Sequence, residues 1–509
     1  MIWPNTNLKY IFGLKLRHFR QEQSLSLKEL AERTGLSVSY INEIEKGKKY
    51  PKAERIMQLA EGLGVSYDEL VSLDLSHGLN HMNELFNSSI LNSFPYQLFG
   101  ITLENVLDLL ISSPKKATAL VSTLHEIVRS YDMDEERFFL ASLRAYQEMH
   151  SNYFEDLEGE VERFLQEVQW NPFPAPEYEE VVRLLGERYR LEVILTDFSE
   201  YPEMKSQRYL YLPGKPPRML INRNLSGMQH RFALAVQLGY FVLKLPDQAR
   251  TSSWLRVGSF DEVLNHFRAS YFAGALLINR FHLEADLSSF SKRVQWDGEA
   301  LLRMIQRYQA SPETFLHRLS QILPGLFDLK ELHFLRFEHE LGQDHFQLSK
   351  ELNMPRTLVP AGAAFNEHHC RRWLPITVLR DLQEHSGSPA SPDTWRIGAQ
   401  RARFVDSGKE VFFISIARPL RLLPNVNRSM TLGIHMDDRF REKVRFWNDP
   451  NIPQVEVNET CERCPLTEAQ CAVRAVPPLV YRREQLNRQR QETFRRLTEA
   501  NRQGRLKLP

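Results

Sequence analysis

Cysteine is nearly missing from this chain: four in 509 residues, at Cys370, Cys461, Cys464 and Cys471. So few cannot brace a chain this long as a disulfide framework. Long apolar runs are missing too. The longest, Tyr271 to Ile278 (YFAGALLI), is too short to span a bilayer. The start, MIWPNTNLKY, has neither a basic n-region nor an apolar h-region, so it does not read as a secretory signal. Charge of one sign is absent as well. A net charge of +1 excludes no partner, because a balanced total can hide a basic patch on one domain. What is present is a globular composition, 42% hydrophobic and 25% charged, at a length that calls for three or four domains. The expectation is a soluble cytoplasmic protein with no membrane partner.

Residues 11–72 read as five short helices. In SLKELAERTG, Ser26 and Glu29 form a capping box, and Gly35 sits where the following turn needs a left-handed residue. Ser37 caps a third helix, SVSYINEIEKG, closed by Gly47. Two short helices joined by a glycine turn, the second rich in small polar side chains, make a helix-turn-helix. Residues 25–70 closely resemble the XRE (phage-repressor-like) family in helix lengths, in both turn glycines and in the closing GVS-x-x-EL. That resemblance implies a major-groove reader that binds a double-stranded DNA operator as a homodimer, with Arg20 and Glu45 as a buried ion pair. Base edges then fall to Val38, Ser39, Asn42 and Glu43. Phosphates fall to Ser37, Tyr40, Lys46, Lys48 and Lys49. Leu27 stands where the family often has a phosphate-holding Gln.

Residues 73–170 read as amphipathic helices, a linker or dimerising arm, up to the proline-rich WNPFPAP at 170–176. Beyond it, EYEEVVRLLGERY reads as a helix and LEVILTDF, RYLYLP and RMLINRNLS as strands. HRFALAVQLGYFVLKL then gives a buried helix. A further helix, DEVLNHFRASYFAGALLINR, offers Ala269, Ala273, Gly274 and Ala275 for close packing. Over 176–285 this order resembles the ImmA/IrrE-type metallopeptidase domain, where R-F-x-x-A-H-E-x-G-H supplies two zinc ligands and a base. Asn222, Arg231, Phe232, Ala235 and Gly239 keep that frame. The ligand positions are Val236 and Tyr240, the base position is Gln237, and the third-ligand position falls near His266. Val cannot ligate zinc, and Gln has no proton to trade near neutral pH. The expectation is a binding pocket and no enzyme. The competing reading, a zinc metalloprotease acting on a regulator, founders on Val236-Gln237-Leu238-Gly239-Tyr240.

Residues 286–350 read as helices. RIGAQRARFVD and KEVFFISIARP then alternate as strands across a turn at Asp406-Ser407-Gly408. Cys461 and Cys464 make a C-x2-C pair, the spacing at which two thiolates grip one metal centre. Cys471 follows, and Cys370 completes four by long-range folding. The set suits either structural zinc or an iron–sulfur cluster. His368 and His369 shape the loop beside Cys370, and Arg474 is placed to neutralise cluster charge.

Helix-turn-helix, degenerate peptidase-like domain and cysteine cluster, in this order, resemble the short-chain fatty acyl regulator family. YFAGALL at 271–277 is close to a family signature. The resemblance implies control of central carbon genes and sensing of acyl-CoA or CoA. It also implies a [4Fe–4S] cluster on the four cysteines, since Cys370-Arg-Arg-Trp373 and C-x2-R-A-x-P-P at 471–478 match. Arg223 and Arg231, beside the defunct site, are candidates for the effector's phosphates. The expected fold is mainly α with α+β parts. It places a helix-turn-helix domain at 1–72, a helical linker or dimerisation region at 73–170 and a zincin-like, ligand-sensing α+β domain at 171–285. A helical region at 286–350, an α+β cysteine-cluster domain at 351–480 and a basic tail at 481–509 follow.

Overall fold

A computed structural model of the protein describes residues 8–72, 96–100, 135–246, 248–251, 257, 259–353, 367–385, 391 and 393–503. They divide between two compact units, Met1–Ser142 with Val257–Phe260 and Leu143–Arg256 with Asp261–Pro509. Most of the expected linker, 73–95 and 101–134, lies outside the described residues, as does 504–509 of the tail.

The first unit holds the five expected helices: α1 (Leu8–Glu22), α2 (Leu27–Thr34), α3 (Val38–Glu45), α4 (Ala53–Leu63) and α5 (Tyr67–Val71). The local signals act as the sequence suggests. The Ser26 hydroxyl accepts the Glu29 N–H, the Glu29 carboxylate accepts the Ser26 N–H at 2.7 Å, and Gly35 turns the chain at φ 66°. Phe12, Leu16, Leu30, Ile41, Ile44, Leu59 and Leu70 close one apolar core. Gly13 lets α1 cross α3, because a Cβ there would collide with the Ile44 carbonyl.

In the second unit, α6 (Glu135–Met149, which begins in the first), α7 (Glu155–Glu167) and α8 (Tyr178–Tyr189) flank the 170–176 boundary. A small sheet follows, β1 (Glu192–Thr196), β2 (Tyr209–Leu212) and β3 (Arg218–Asn222), in the order β1-β3-β2. Next come α9 (Gly227–Val242), α10 (Phe260–Leu277), α11 (Arg280–Ser291), α12 (Gly298–Arg307) and α13 (Pro312–Phe327). Gly239 brings α9 against α10: a Cβ there would lie 2.9 Å from the Ala269 carbonyl oxygen. A fully buried ion pair ties α7 to α13. The Arg318 guanidinium donates to both Glu158 carboxylate oxygens at 2.6 and 2.9 Å, and the Tyr271 hydroxyl donates to Glu158 at 2.8 Å.

The expected helical region at 286–350 is helical only through Phe327. From Leu332 the chain is β4 (Leu332–Glu340) and β5 (Gln347–Asn353), the start of a six-stranded sheet. Leu332–Glu340 contains no Val, Ile or Thr, so its strand is imposed by pairing on both edges, with β5 and with β8. The sheet continues with β6 (Arg396–Phe404), β7 (Glu410–Pro419), β8 (Val426–His435) and β9 (Gln454–Val457), in the order β5-β4-β8-β7-β6-β9. The β6–β7 hairpin spans the expected Asp406 turn. α14 (Leu374–His385) covers one face, with Trp373, Ile376, Leu379 and Leu382 against Phe337, Phe404 and Phe413. A short α15 (Asp438–Lys443) precedes β9, and α16 (Leu479–Arg502) ends the described chain. Among the described residues no helix is long and apolar enough to cross a membrane.

Candidate functional site

The residues expected to read DNA lie at the start of α3 and one turn on. Ser37 caps it, and Ser37, Val38 and Ser39 are exposed at its start, with Asn42 and Glu43 half-buried one turn on. Arg20 donates to both Glu45 carboxylate oxygens at 2.6 and 2.9 Å and to the Leu25 carbonyl at 2.7 Å, which fixes α3 on α1. Lys46, Lys48 and Lys49 are exposed beyond the helix. Lys49 pairs with Glu43 at 2.8 Å and lies over the Tyr40 ring, so those side chains hold one another.

On α9, Val236, Gln237 and Tyr240 are buried, as the peptidase frame requires, and they do other work. The Tyr240 hydroxyl accepts the Ala249 N–H at 3.2 Å, which leaves its own proton for His266 Nδ1, also at 3.2 Å. His266 thus lies beside Tyr240, which stands at one of the frame's ligand positions. Burial, with Lys350 and Arg208 nearby, holds its imidazole down to about 4, so it is neutral. Gln237 donates to Gln248 at 3.1 Å. These contacts pin the 248–251 strap, and Leu210 pairs with Thr251 while the Tyr211 N–H donates to the Arg250 carbonyl. The outer edge of β2, where an extended peptide would add, is thus covered by the chain itself.

The two expected effector residues do not act together. Arg231 is buried and donates to the Ala175 and Pro176 carbonyls and to Gln309, a structural clasp. Arg223 is exposed. Both proline-loop carbonyls would have to be abandoned to free the Arg231 guanidinium, which corrects the expectation for that residue.

A different cluster lies behind the defunct site, unmarked by any spacing in the sequence. Glu313 on α13 pairs with Arg336 at 2.9 Å, Arg428 at 3.4 Å and Arg208 at 3.9 Å. Arg428 also reaches Glu338 at 2.7 Å. Burial alone would push the Glu313 carboxyl up, but Arg336, Arg428, Arg208 and Lys350 outweigh it and hold it well below the usual range. Burial lowers Arg418 to about 10, with Arg428 and Arg208 adding to the fall. Burial lowers Lys350 to about 8, again with three arginines adding. The Lys350 side chain is nonetheless open to solvent. Arg208, Arg336, Lys350, Arg418 and Arg428 thus bring five cations to Glu313 and Glu338, with His317 and His266 held neutral beside them. The one sequence signal was charge on apolar strands, Arg336 and Glu338 within HFLRFEHE and Arg428 within VNRSMTLGI.

All four cysteines are buried, and the fold brings them to one place. The loop before α14 pairs with the loop after β9: the Cys370 N–H donates to the Glu459 carbonyl at 3.2 Å and the Cys461 N–H to the His368 carbonyl at 2.8 Å. Cys464 and Cys471 pack together with Leu466. Burial, with Cys461 and Cys464 close enough to add repulsion, pushes the Cys370 thiol up to about 11. Cys464 is raised for the same reasons, by burial and by Cys471 and Cys461. A bound metal's positive charge would reverse the shifts at Cys370 and Cys464. As they are placed, no three Cys, His, Asp or Glu side chains among the described residues form a group that could hold a single metal ion. His368 and His369 shape the loop. His368 meets the Glu462 carboxylate at 2.8 Å, and His369 stacks on Trp373. Arg474 donates to the Cys461, Leu466 and Val476 carbonyls, which clasps the loop, and its charge acts on the Cys464 thiol in the direction that favours the thiolate.

Comparison with known proteins agrees with this division. Residues 16–70 match the Helix-turn-helix family model and residues 190–320 the IrrE N-terminal-like domain. The chain is 32% identical over 66 residues to the uncharacterised HTH-type transcriptional regulator y4dJ of Sinorhizobium fredii, covering 13% of this chain and 86% of that protein. It is 38% identical over 60 residues to the uncharacterised HTH-type transcriptional regulator YazB of Bacillus subtilis, covering 12% and 87%. Among solved structures, a Mycobacterium tuberculosis transcriptional regulator aligns at a TM-score of 0.44 and 19% identity, over 66% of this chain and 92% of that one. The chain belongs to the helix-turn-helix family of transcriptional regulators and carries an IrrE N-terminal-like domain behind its DNA reader.

Proposed function

We propose that this regulator binds its operator as a homodimer through α3 and answers to an anionic small molecule, an acyl-CoA or CoA, in controlling genes of central carbon or short-chain fatty acid metabolism. Val38, Ser39, Asn42 and Glu43 read bases, and Ser37, Tyr40, Lys46, Lys48 and Lys49 hold phosphates. The cation cluster around Glu313 carries the effector reading: five cations against two carboxylates leave unbalanced positive charge. Phosphates take the arginines, and the neutral wall by His266 and Tyr240 faces the rest of the ligand. Cys370, Cys461, Cys464 and Cys471 hold a [4Fe–4S] cluster, with structural zinc as the alternative, and a cluster would supply one-electron redox sensing. No hydrolysis is assigned to the peptidase-like domain, because Val236 and Tyr240 leave it without its metal ligands.

Calorimetry with acetyl-CoA, propionyl-CoA and CoA tests the effector. Binding lost in Arg428→Gln but kept in Arg223→Gln supports the cation cluster as the effector site. No heat from any of the three at high protein concentration sinks the effector reading and leaves the DNA reading standing. Iron, sulfide and zinc per chain, measured on anaerobically purified protein, decide the thiol site.

A further inference from the structure

The basic charge of this DNA-binding chain is not concentrated on its reading head. Residues 8–72 carry eleven Lys and Arg against nine Asp and Glu. Several of those cations are already engaged: Lys15 donates to the Glu69 and Ser72 carbonyls, Arg20 to Glu45, and Lys49 to Glu43. The helix α16 carries seven arginines against three glutamates in 24 residues. From Leu486 to Thr493 every side chain is exposed, and Phe494 keeps 73% of its surface open.

We propose that α16 is a second DNA contact, an arginine arm that lies along the phosphate backbone. Four observations carry this. Arg483, Arg488, Arg490, Arg495 and Arg502 make no ion pair among the described residues, so their guanidiniums are unspent. The carboxylates are segregated: Glu484, Glu492 and Glu499 recur at eight and seven residues and so share one side of the helix. Leu479, Arg483, Leu486, Arg490 and Leu497 recur on the other, a face with cations and no anion. The helix is about 36 Å long at 1.5 Å per residue. It therefore runs beside roughly ten phosphates of one strand at 3.4 Å each. Pairing with a second α16 along the leucine face would oppose Arg483 and Arg490 to their own copies, which disfavours a self-associating coil.

The root of the arm gives it a place in regulation. The Val480 and Tyr481 N–H groups donate to the Glu462 carbonyl at 3.1 and 3.0 Å, and Arg482 pairs with Glu468 at 3.0 Å. Glu462 sits between Cys461 and Cys464, and its carboxylate holds the His368 side of the thiol loop. A change of state at the thiols thus acts on the base of the arm.

The test uses full-length protein and a random-sequence duplex, so no operator is needed. Arg483 and Arg490, on the face without carboxylates, are changed together to Gln, and in a second variant to Lys. The slope of log K against log salt should fall by about 0.9 for each arginine that meets a phosphate, so a loss of about 2 is expected for the Gln variant. The Lys variant should keep the wild-type slope, and circular dichroism should show the helix retained in both. An unchanged slope in a helical Gln variant overturns the proposal. So does a Gln variant whose only change is in self-association, which would make α16 a protein-docking helix.

Discussion

Lys350 should make effector binding at the cation cluster fall between pH 7 and pH 9. Its ammonium is pushed down to about 8, first by burial and then by Arg336, Arg208 and Arg428. Below that value it is charged and attracts an anion; above it the charge is lost. A group with pKa about 8 is roughly nine-tenths protonated at pH 7 and one-tenth at pH 9, so affinity tied to that proton should drop about tenfold across the interval. One charge at about 4 Å in a partly polar site is worth up to about 4 kcal/mol, enough to sustain that loss. The arginines stay charged throughout, and His266 and His317, at about 4 and about 3, are already neutral. Calorimetry with acetyl-CoA between pH 7 and pH 9 reads the effect, since that ligand has no free thiol to titrate. Lys350→Arg should bind with a flat profile. A flat wild-type profile, or an equal fall in the Arg variant, refutes the assignment of Lys350 to the ligand's surroundings.

Two further outcomes follow from the packing. Glu158→Gln leaves the Arg318 guanidinium buried without its counter-charge, and unfolding stability should fall by about 3–5 kcal/mol in urea; a change under 1 kcal/mol would mean the pair contributes little. Tyr240→Phe removes the acceptor for the Ala249 N–H and should cost about 1–3 kcal/mol. Amide exchange at Ala249 should quicken first, and unchanged exchange there would show that the strap is held by other means.

The parts that sequence revealed are those built from neighbours. Ser26, Glu29 and Gly35 act within ten residues of one another, so the helix-turn-helix could be read directly. The peptidase frame was legible for the same reason, as Arg231 to Tyr240 lies within three turns of one helix. What escaped was assembled from afar. Arg208, Glu313, Arg336, Lys350 and Arg428 meet across more than two hundred residues, and no period links them. The strands at 332–353 were hidden by Leu, Glu and His, which suit a helix until a sheet pairs with them. Arg231 misled in the opposite direction: a cation beside a pocket looked free, and the fold spends it on the 175–176 carbonyls.

The central claim is that α3 reads DNA sequence. Full-length protein should enrich one motif from a random duplex library, and wild type can then be compared with a variant carrying Ser39, Asn42 and Glu43 changed together to Ala. Each good base contact is worth about 1–3 kcal/mol of discrimination. The triple variant should therefore lose at least about tenfold of its preference for the motif while still binding random duplex. A triple variant that keeps the full preference would contradict it, and would place sequence reading outside α3.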